Sequence, residues 1–221
     1  MKVLVKFPTR NRKDKFFEVL DIYYEKLNNS DLTSFLITCD NDDQSMNNDE
    51  VKQKFEKYKN LEVIYGDSTS KIHAVNRDMD KVDDYDIILL ASDDMIPQIQ
   101  GYDDIIRDKM KEHYPDTDGI LWFNDGFQKN RLNTLCILGK KYYERFNYIY
   151  QPEYKSCWSD NEFMEVGNRL KKQTYFDEVI IKHEHPDWGY SKRDQIHQLN
   201  HVNFGYDRDL FQRRKRINFG L

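Results

Sequence analysis

An apolar run, Ile88-Leu89-Leu90-Ala91, stops abruptly at Ser92-Asp93-Asp94. Adjacent carboxylates at the mouth of a buried strand repel each other, and a divalent cation beside them relieves that cost. An ion held there could bridge two phosphates and neutralise a departing diphosphate. A solvated turn in which Asp93 or Asp94 caps a helix is the bland alternative. The apolar strand before the pair and Met95-Ile96-Pro97 after it favour the cation. A second cluster lies at Ile180-Ile181-Lys182-His183-Glu184-His185-Pro186. Histidines at i and i+2 of a strand share a face, so His183 and His185 could hold one metal. A third, Cys157-Trp158-Ser159-Asp160-Asn161-Glu162-Phe163, reads as a helix start. Its acids are either caps or, in the functional reading, a base that deprotonates an acceptor hydroxyl. Trp188 could stack on a sugar face or simply pack a loop.

The elements that must position these groups follow from spacing. Strands are expected at Lys2–Phe7, Ser34–Cys39, Leu61–Tyr65 and Tyr85–Leu90, with helices at Arg12–Leu27, Val51–Tyr58 and Thr69–Met79. Repeated strand–helix–strand units predict an α/β fold with a mainly parallel sheet and helices on both faces. Ligands of such sheets bind at the carboxyl ends of the strands. The polar clusters Thr9–Arg12, Asp40–Asp43, Gly66–Lys71 and Ser92–Asp94 all fall there. The second half is less regular. Strands are expected at Gly119–Phe123, Thr134–Leu138 and Tyr175–Lys182, and helices at Lys140–Phe146, Asp160–Leu170 and through much of Ser191–Lys215. No Pro/Gly/Ser-rich linker interrupts the chain, so 1–221 is expected to be one domain, with residues 1–100 as a nucleotide half and 101–221 as an acceptor and catalytic half.

Ser92-Asp93-Asp94 resembles the acidic DXD-type motif of GT-A glycosyltransferases, family 2-like ones in particular, although Ser92 stands where a strict motif has an acid. The opening strand with Pro8-Thr9-Arg10-Asn11-Arg12, and Gly66-Asp67 with Lys71, Asn76 and Arg77, are similar to further segments of that family. The resemblance implies a GT-A, Rossmann-like sheet with a small antiparallel portion in the second half. It implies that Asp94 ligates Mn2+ or Mg2+ and that Asp93 lies near the ribose or the metal. Pro8, Thr9, Arg12 and Asp40 would surround base and ribose, while Asp67, Lys71 and Asn76 approach the nucleotide. The Cys157–Phe163 run resembles the acidic segment of inverting members, which implies Asp160 as the base, with Glu162 in reserve. The late histidine of the family implies His183 as a metal ligand, and His185 as the second choice.

Composition bounds the rest. Tyr (15) and Phe (13) supply large rings for a core, which argues against disorder in a chain that is one-third charged. A net charge of −5 gives no general attraction to nucleic acid or to anionic lipid, so a nucleic-acid acceptor is not favoured despite Arg213-Arg214-Lys215-Arg216. Three scattered cysteines lack disulfide or zinc spacing. No apolar run spans a bilayer, and a cytoplasmic location is expected. The expected function is metal-dependent transfer of a sugar from a nucleotide-diphosphate donor to the hydroxyl of a glycan or other acceptor, with inversion. Two alternatives remain. A non-catalytic nucleotide- or carbohydrate-binding module would retain the fold without turnover. A sugar-nucleotide nucleotidyltransferase would need a glycine-rich loop after the first strand, and Pro8–Arg12 has no glycine.

Overall fold

The computed structural model describes residues 1–184 and 202–221. His185, Trp188 and the 191–201 part of the expected C-terminal helix lie outside the described residues. The first half runs β1 (Val3–Thr9), α1 (Lys13–Glu25), β2 (Thr33–Asp40), α2 (Asp49–Phe55), β3 (Leu61–Gly66), α3 (Lys71–Asn76), β4 (Ile87–Leu90) and β5 (Met95–Pro97). It continues with α4 (Tyr102–His113), β6 (Ile120–Phe123), β7 (Ile137–Gly139), α5 (Lys140–Glu144), α6 (Ser159–Leu170), β8 (Gln173–Phe176), β9 (Ile181–His183) and a last helix, α7 (Phe204–Arg216).

Seven strands form one sheet in the order β3-β2-β1-β4-β7-β6-β8. Only β7 runs against its neighbours, so the other six strands end on the same edge. Strands buried on both faces read as continuous apolar runs, as in Val3-Leu4-Val5 and Ile87-Ile88-Leu89-Leu90. Alternate residues of these strands enter two separate cores. Val5, Phe7, Ile37 and Leu89 pack with α1, α2 and α4 through Phe16, Leu20, Tyr23, Phe55 and Ile106. Leu4, Leu36, Ile88 and Leu90 pack with α3, α6 and α7 through Ile72, Val75, Phe163 and Leu210. Each fully buried Leu, Ile or Phe contributes ~1.5–3 kcal/mol, so the sheet is clamped from both sides.

Two expected elements change shape. The helix placed at Thr69–Met79 stops at Asn76, because Arg77 turns extended (ψ 150) and Asp78 takes a left-handed conformation (φ 71). The chain breaks there to feed a buried network: Lys6 Nζ donates to the Arg77 carbonyl (2.6 Å), and Thr38 Oγ1 donates to Asp78 Oδ2 (2.8 Å). The strand placed at Tyr175–Lys182 is two strands. β8 pairs with β6 in the main sheet, the chain turns a corner at Asp177, and β9 pairs antiparallel with β5 instead. Asp177 Oδ1 accepts from Asn124 Nδ2 (3.0 Å) and Tyr175 OH (2.7 Å), which fixes that corner. Helix α4 and strand β5 are additions to the elements expected from spacing.

Candidate functional site

The β5–β9 ladder assembles the site. β5 begins directly after Asp94, and its register sets Met95 opposite His183. Around that register the Glu184 N–H donates to the Asp94 carbonyl (2.7 Å), and the His183 N–H donates to the Asp125 carbonyl (2.9 Å). The side chains follow. His183 Nε2 stands 3.4 Å from Asp94 Oδ2, and Ser92 Oγ donates to Asp94 Oδ1. Burial alone would raise the Asp94 carboxyl. The hydrogen bond and charge of His183, the Ser92 hydroxyl and the Lys71 ammonium outweigh it and hold the group well below the usual carboxylate range. Asp93 points to the other wall, where Arg12 Nη1 donates to its Oδ1 (2.7 Å).

The neighbouring wall is built by the ends of β1, β2 and β3. Beyond Thr9 the chain turns through Asn11 in a left-handed conformation (φ 57), held by the Asn11 N–H donating to the buried Asp43 carboxylate (2.7 Å). That turn carries Arg10 over the end of β2, where Nη1 donates to Asp40 Oδ2 (2.6 Å) and the guanidinium grips both oxygens of Asp42. Asp67 is exposed and accepts from Asn41 Nδ2 (3.0 Å). Four side chains along this edge bury polar atoms that lack a hydrogen-bond partner among the described residues, at Thr9 Oγ1, Asp40 Oδ1, Ser68 Oγ and the Nε and Nη1 of Arg77. An unsatisfied buried group costs ~1–3 kcal/mol, and one edge of the sheet concentrates four of them. Gly66 belongs to the same wall. A Cβ there would collide with Arg77 Nη1, so the missing side chain lets the guanidinium lie across the strand and donate through Nη2 to the Cys39 carbonyl (2.8 Å).

Asp160 occupies the first turn of α6. Burial pushes its carboxyl up, and the Asn161 N–H and the Lys71 charge offset that only in part. The Lys71 ammonium acts electrostatically on both Asp94 and Asp160. Lys71 itself is exposed at the start of α3. Two other candidates are engaged elsewhere. Glu162 is buried, accepting from Tyr154 OH (2.8 Å) and from Arg214 Nε (2.8 and 2.9 Å). Asn76 spends its amide on the 149–150 backbone, accepting from Ile149 and Tyr150 N–H and donating to the Tyr150 carbonyl. Pro8 is half-buried in β1 beside Thr9. Among the described residues no three His, Cys, Asp or Glu converge on one point; of the expected metal ligands, Asp94 and His183 stand beside each other.

Sequence reasoning passed over Lys6, whose lone charge within Val3-Leu4-Val5-Lys6-Phe7 was the available signal. It is fully buried, donates to Thr38 Oγ1 and the Arg77 carbonyl, and supports the Arg77–Asp78 turn from below. Burial pulls its ammonium down to about 7, although the Asp78 carboxylate opposes the shift.

No family model matches the chain, and no curated protein matches it in sequence. Its fold is similar to solved structures. One is the mannosyltransferase PcManGT from Pyrobaculum calidifontis in complex with GDP-Man and Mn2+, with a TM-score of 0.67 and 15% identity over 86% of this chain and 58% of that one. Another is S. aureus TarS 1-349 in complex with UDP-GlcNAc, with a TM-score of 0.64 and 17% identity over 82% and 58%. A third is 4-diphosphocytidyl-2C-methyl-D-erythritol synthase from Anaerococcus prevotii, with a TM-score of 0.54 and 14% identity over 82% and 89%. The chain spans less than two thirds of the first two structures. At these identities the likeness is one of fold, and the fold is GT-A.

Proposed function

We propose that this GT-A chain is a glycosyltransferase that moves a sugar from a nucleotide-diphosphate donor to an acceptor hydroxyl, with a divalent metal and with inversion. The observation that carries the reading is the pairing of Asp94 with His183 at the carboxyl edge of the sheet, next to a wall in which Thr9, Asp40, Ser68 and Arg77 bury unsatisfied polar atoms. PcManGT with GDP-Man and Mn2+, and TarS with UDP-GlcNAc, support the choice of ligand.

Thr9, Asp40, Arg77 and Ser68 are assigned to the nucleoside, since each buries a donor or acceptor that a base or ribose satisfies. Arg12 fixes Asp93 at the ribose side, and Lys71 meets the diphosphate. The donor set fits a hard divalent ion. One carboxylate and one imidazole suit Mn2+ or Mg2+, which keep several positions for phosphate oxygens and water. Asp94 and His183 would hold that ion, and when bound it supplies neutralising charge for the departing diphosphate.

Asp160 is the base. Its raised carboxyl is better matched to taking a proton than an ordinary surface aspartate, and the Lys71 charge opposes that rise in part. Glu162 serves α6 rather than the acceptor, because Arg214 and Tyr154 occupy its oxygens. Among the described residues no helix is long and apolar enough to cross a membrane. The test is a panel of UDP-, GDP-, CDP- and dTDP-sugars assayed for hydrolysis and transfer with manganese or magnesium, with and without chelator. Turnover of one donor, abolished by chelator and restored by metal, is expected. Full turnover in excess chelator refutes the metal assignment, and no turnover of any donor refutes the reaction.

A further inference from the structure

The C-terminal helix α7 carries a buried acid on the side that faces the start of α6. Asp207 is completely buried, although it sits in the first turn of an otherwise polar and basic helix, α7. Its carboxylate collects three consecutive backbone N–H groups from the loop that leads into α6. Lys155 N–H donates to Oδ1 (2.9 Å), and Ser156 and Cys157 N–H both donate to Oδ2 (2.9 and 2.8 Å). The next residue, Trp158, takes a left-handed conformation (φ 63) and is the N-cap of α6. For a bulky residue that conformation is strained and persists only when neighbours impose it. Two residues further on stands Asp160.

Asp160 has little of its own to aim it. Its carboxylate accepts the N–H of Asn161 (2.9 Å), and no side chain among the described residues donates to it. Its direction is therefore set by where α6 begins, and α7 grips that start on both sides. Asp207 holds residues 155–157 before it, while Arg214 holds the Glu162 carboxylate after it. The Ile72 N–H, from α3, also donates to the Lys155 carbonyl (3.3 Å), tying the same loop to the helix that carries Lys71.

We propose that Asp207 is a positioning residue for catalysis: by anchoring the 155–157 backbone it imposes the Trp158 turn and so fixes the aim of Asp160. The inference rests on the reading of Asp160 as the base. It gives α7 a role in the chemical step rather than in donor binding, since Asp207 touches neither the strand-end wall nor Asp94.

The test is Asp207→Asn, in the parental chain and in the Asp160→Asn background. Asparagine keeps the size but replaces one accepting oxygen by an amide that cannot accept, which orphans at least one of the three N–H groups. Amide exchange across 155–162 should quicken at least ~10-fold while β1 and β4 stay unchanged. With the sugar nucleotide that gives the fastest hydrolysis in manganese, kcat should fall ~10- to 100-fold, because a small misplacement of a reacting group is costly. Affinity for UDP or GDP with manganese should stay within ~3-fold. In Asp160→Asn, the second change should add less than ~3-fold, since the group it aims is already gone. Equal losses in both backgrounds, unchanged exchange at 155–162, or lost nucleotide affinity with kcat intact would each overturn the proposal. If Asp207→Asn does not fold, Asp207→Glu keeps both oxygens and should retain the fold with a smaller drop in kcat; parental kcat in that folded variant overturns the proposal equally. An Asp160→Asn protein that transfers at the parental rate, or a chain that turns over no donor, refutes the parent reading instead.

Discussion

Lys6 makes the stability of the fold depend on pH in a window set by its own burial. In the folded chain its ammonium loses its proton at about 7, against 10.5 when unfolded. Between those values the unfolded state binds a proton that the folded state does not, so stability rises with pH. Working from the two values, the folded chain gains about 2 kcal/mol between pH 7 and pH 9 from this residue, close to the limiting slope of ~1.4 kcal/mol per pH unit. The perturbation is Lys6→Met, which keeps the length of the side chain and removes the charge. It also leaves Thr38 Oγ1 and the Arg77 carbonyl without their donor, so the absolute stabilities of the two proteins differ for reasons besides the charge. The informative quantity is the difference in slope. Other groups also titrate, among them Cys39, which burial raises to about 12 and which opposes the Lys6 trend above pH 9. Those contributions are common to both proteins and cancel in the comparison. Urea unfolding at pH 7, 8 and 9 should move the parental midpoint up by roughly 1 M relative to the variant, given an m-value of ~2–3 kcal/mol/M for a chain of this size. Parallel pH profiles for the two proteins would refute the reasoning and mean that Lys6 stays protonated in the core.

Four further outcomes are expected. Asp160→Asn should fold normally and bind nucleotide with parental affinity while transfer falls ~100- to 10,000-fold, measured by calorimetry and initial rates; Glu162→Gln should instead lower the melting temperature, because it breaks the buried pair with Arg214. Asp94→Ala should abolish the metal-dependent part of nucleoside diphosphate binding, read as loss of the amide-exchange slowing that the diphosphate and manganese produce around 9–12 and 92–94. Gly66→Ala should leave the melting temperature nearly unchanged, because only the end of the Arg77 side chain must move, yet weaken nucleotide binding ~10-fold or more by calorimetry.

The parallel sheet was legible because its strands are buried on both faces and announce themselves as apolar runs. The register of Ser92-Asp93-Asp94 at the end of β4 followed from the same signal. The meeting of Asp94 with His183 was legible only in part. Two metal-type residues could be named, but their contact depends on β5, a three-residue strand too short to have a period, and on a corner at Asp177 made by side chains distant in sequence. Helix α4 was missed for a different reason. Its apolar face is only Tyr102, Ile106 and Met110, diluted by Asp103 and Arg107, which are buried as an ion pair. The roles of Asn76 and Glu162 were not readable either, since a polar side chain bonded to distant backbone or to Arg214 looks the same in sequence as one that faces a ligand.

The β5–β9 ladder has a consequence for chain entropy. It joins two short strands separated by more than a third of the protein, with three pairs of residues to hold them. In the unfolded chain closing a loop of that length costs entropy that grows only slowly with its size, whereas in the fold β7, β6 and β8 have already brought most of the intervening chain onto the main sheet. A ligand gripped by Asp94 from one strand and His183 from the other is therefore equivalent to a removable cross-link between them. Such a link acts mainly on the open ensemble, which it makes less accessible, and its effect is largest when the loop it closes is long. Occupation of the site would thus fasten the second half of the chain to the first, so that binding a small molecule at one edge of the sheet becomes a statement about the stability of the whole fold.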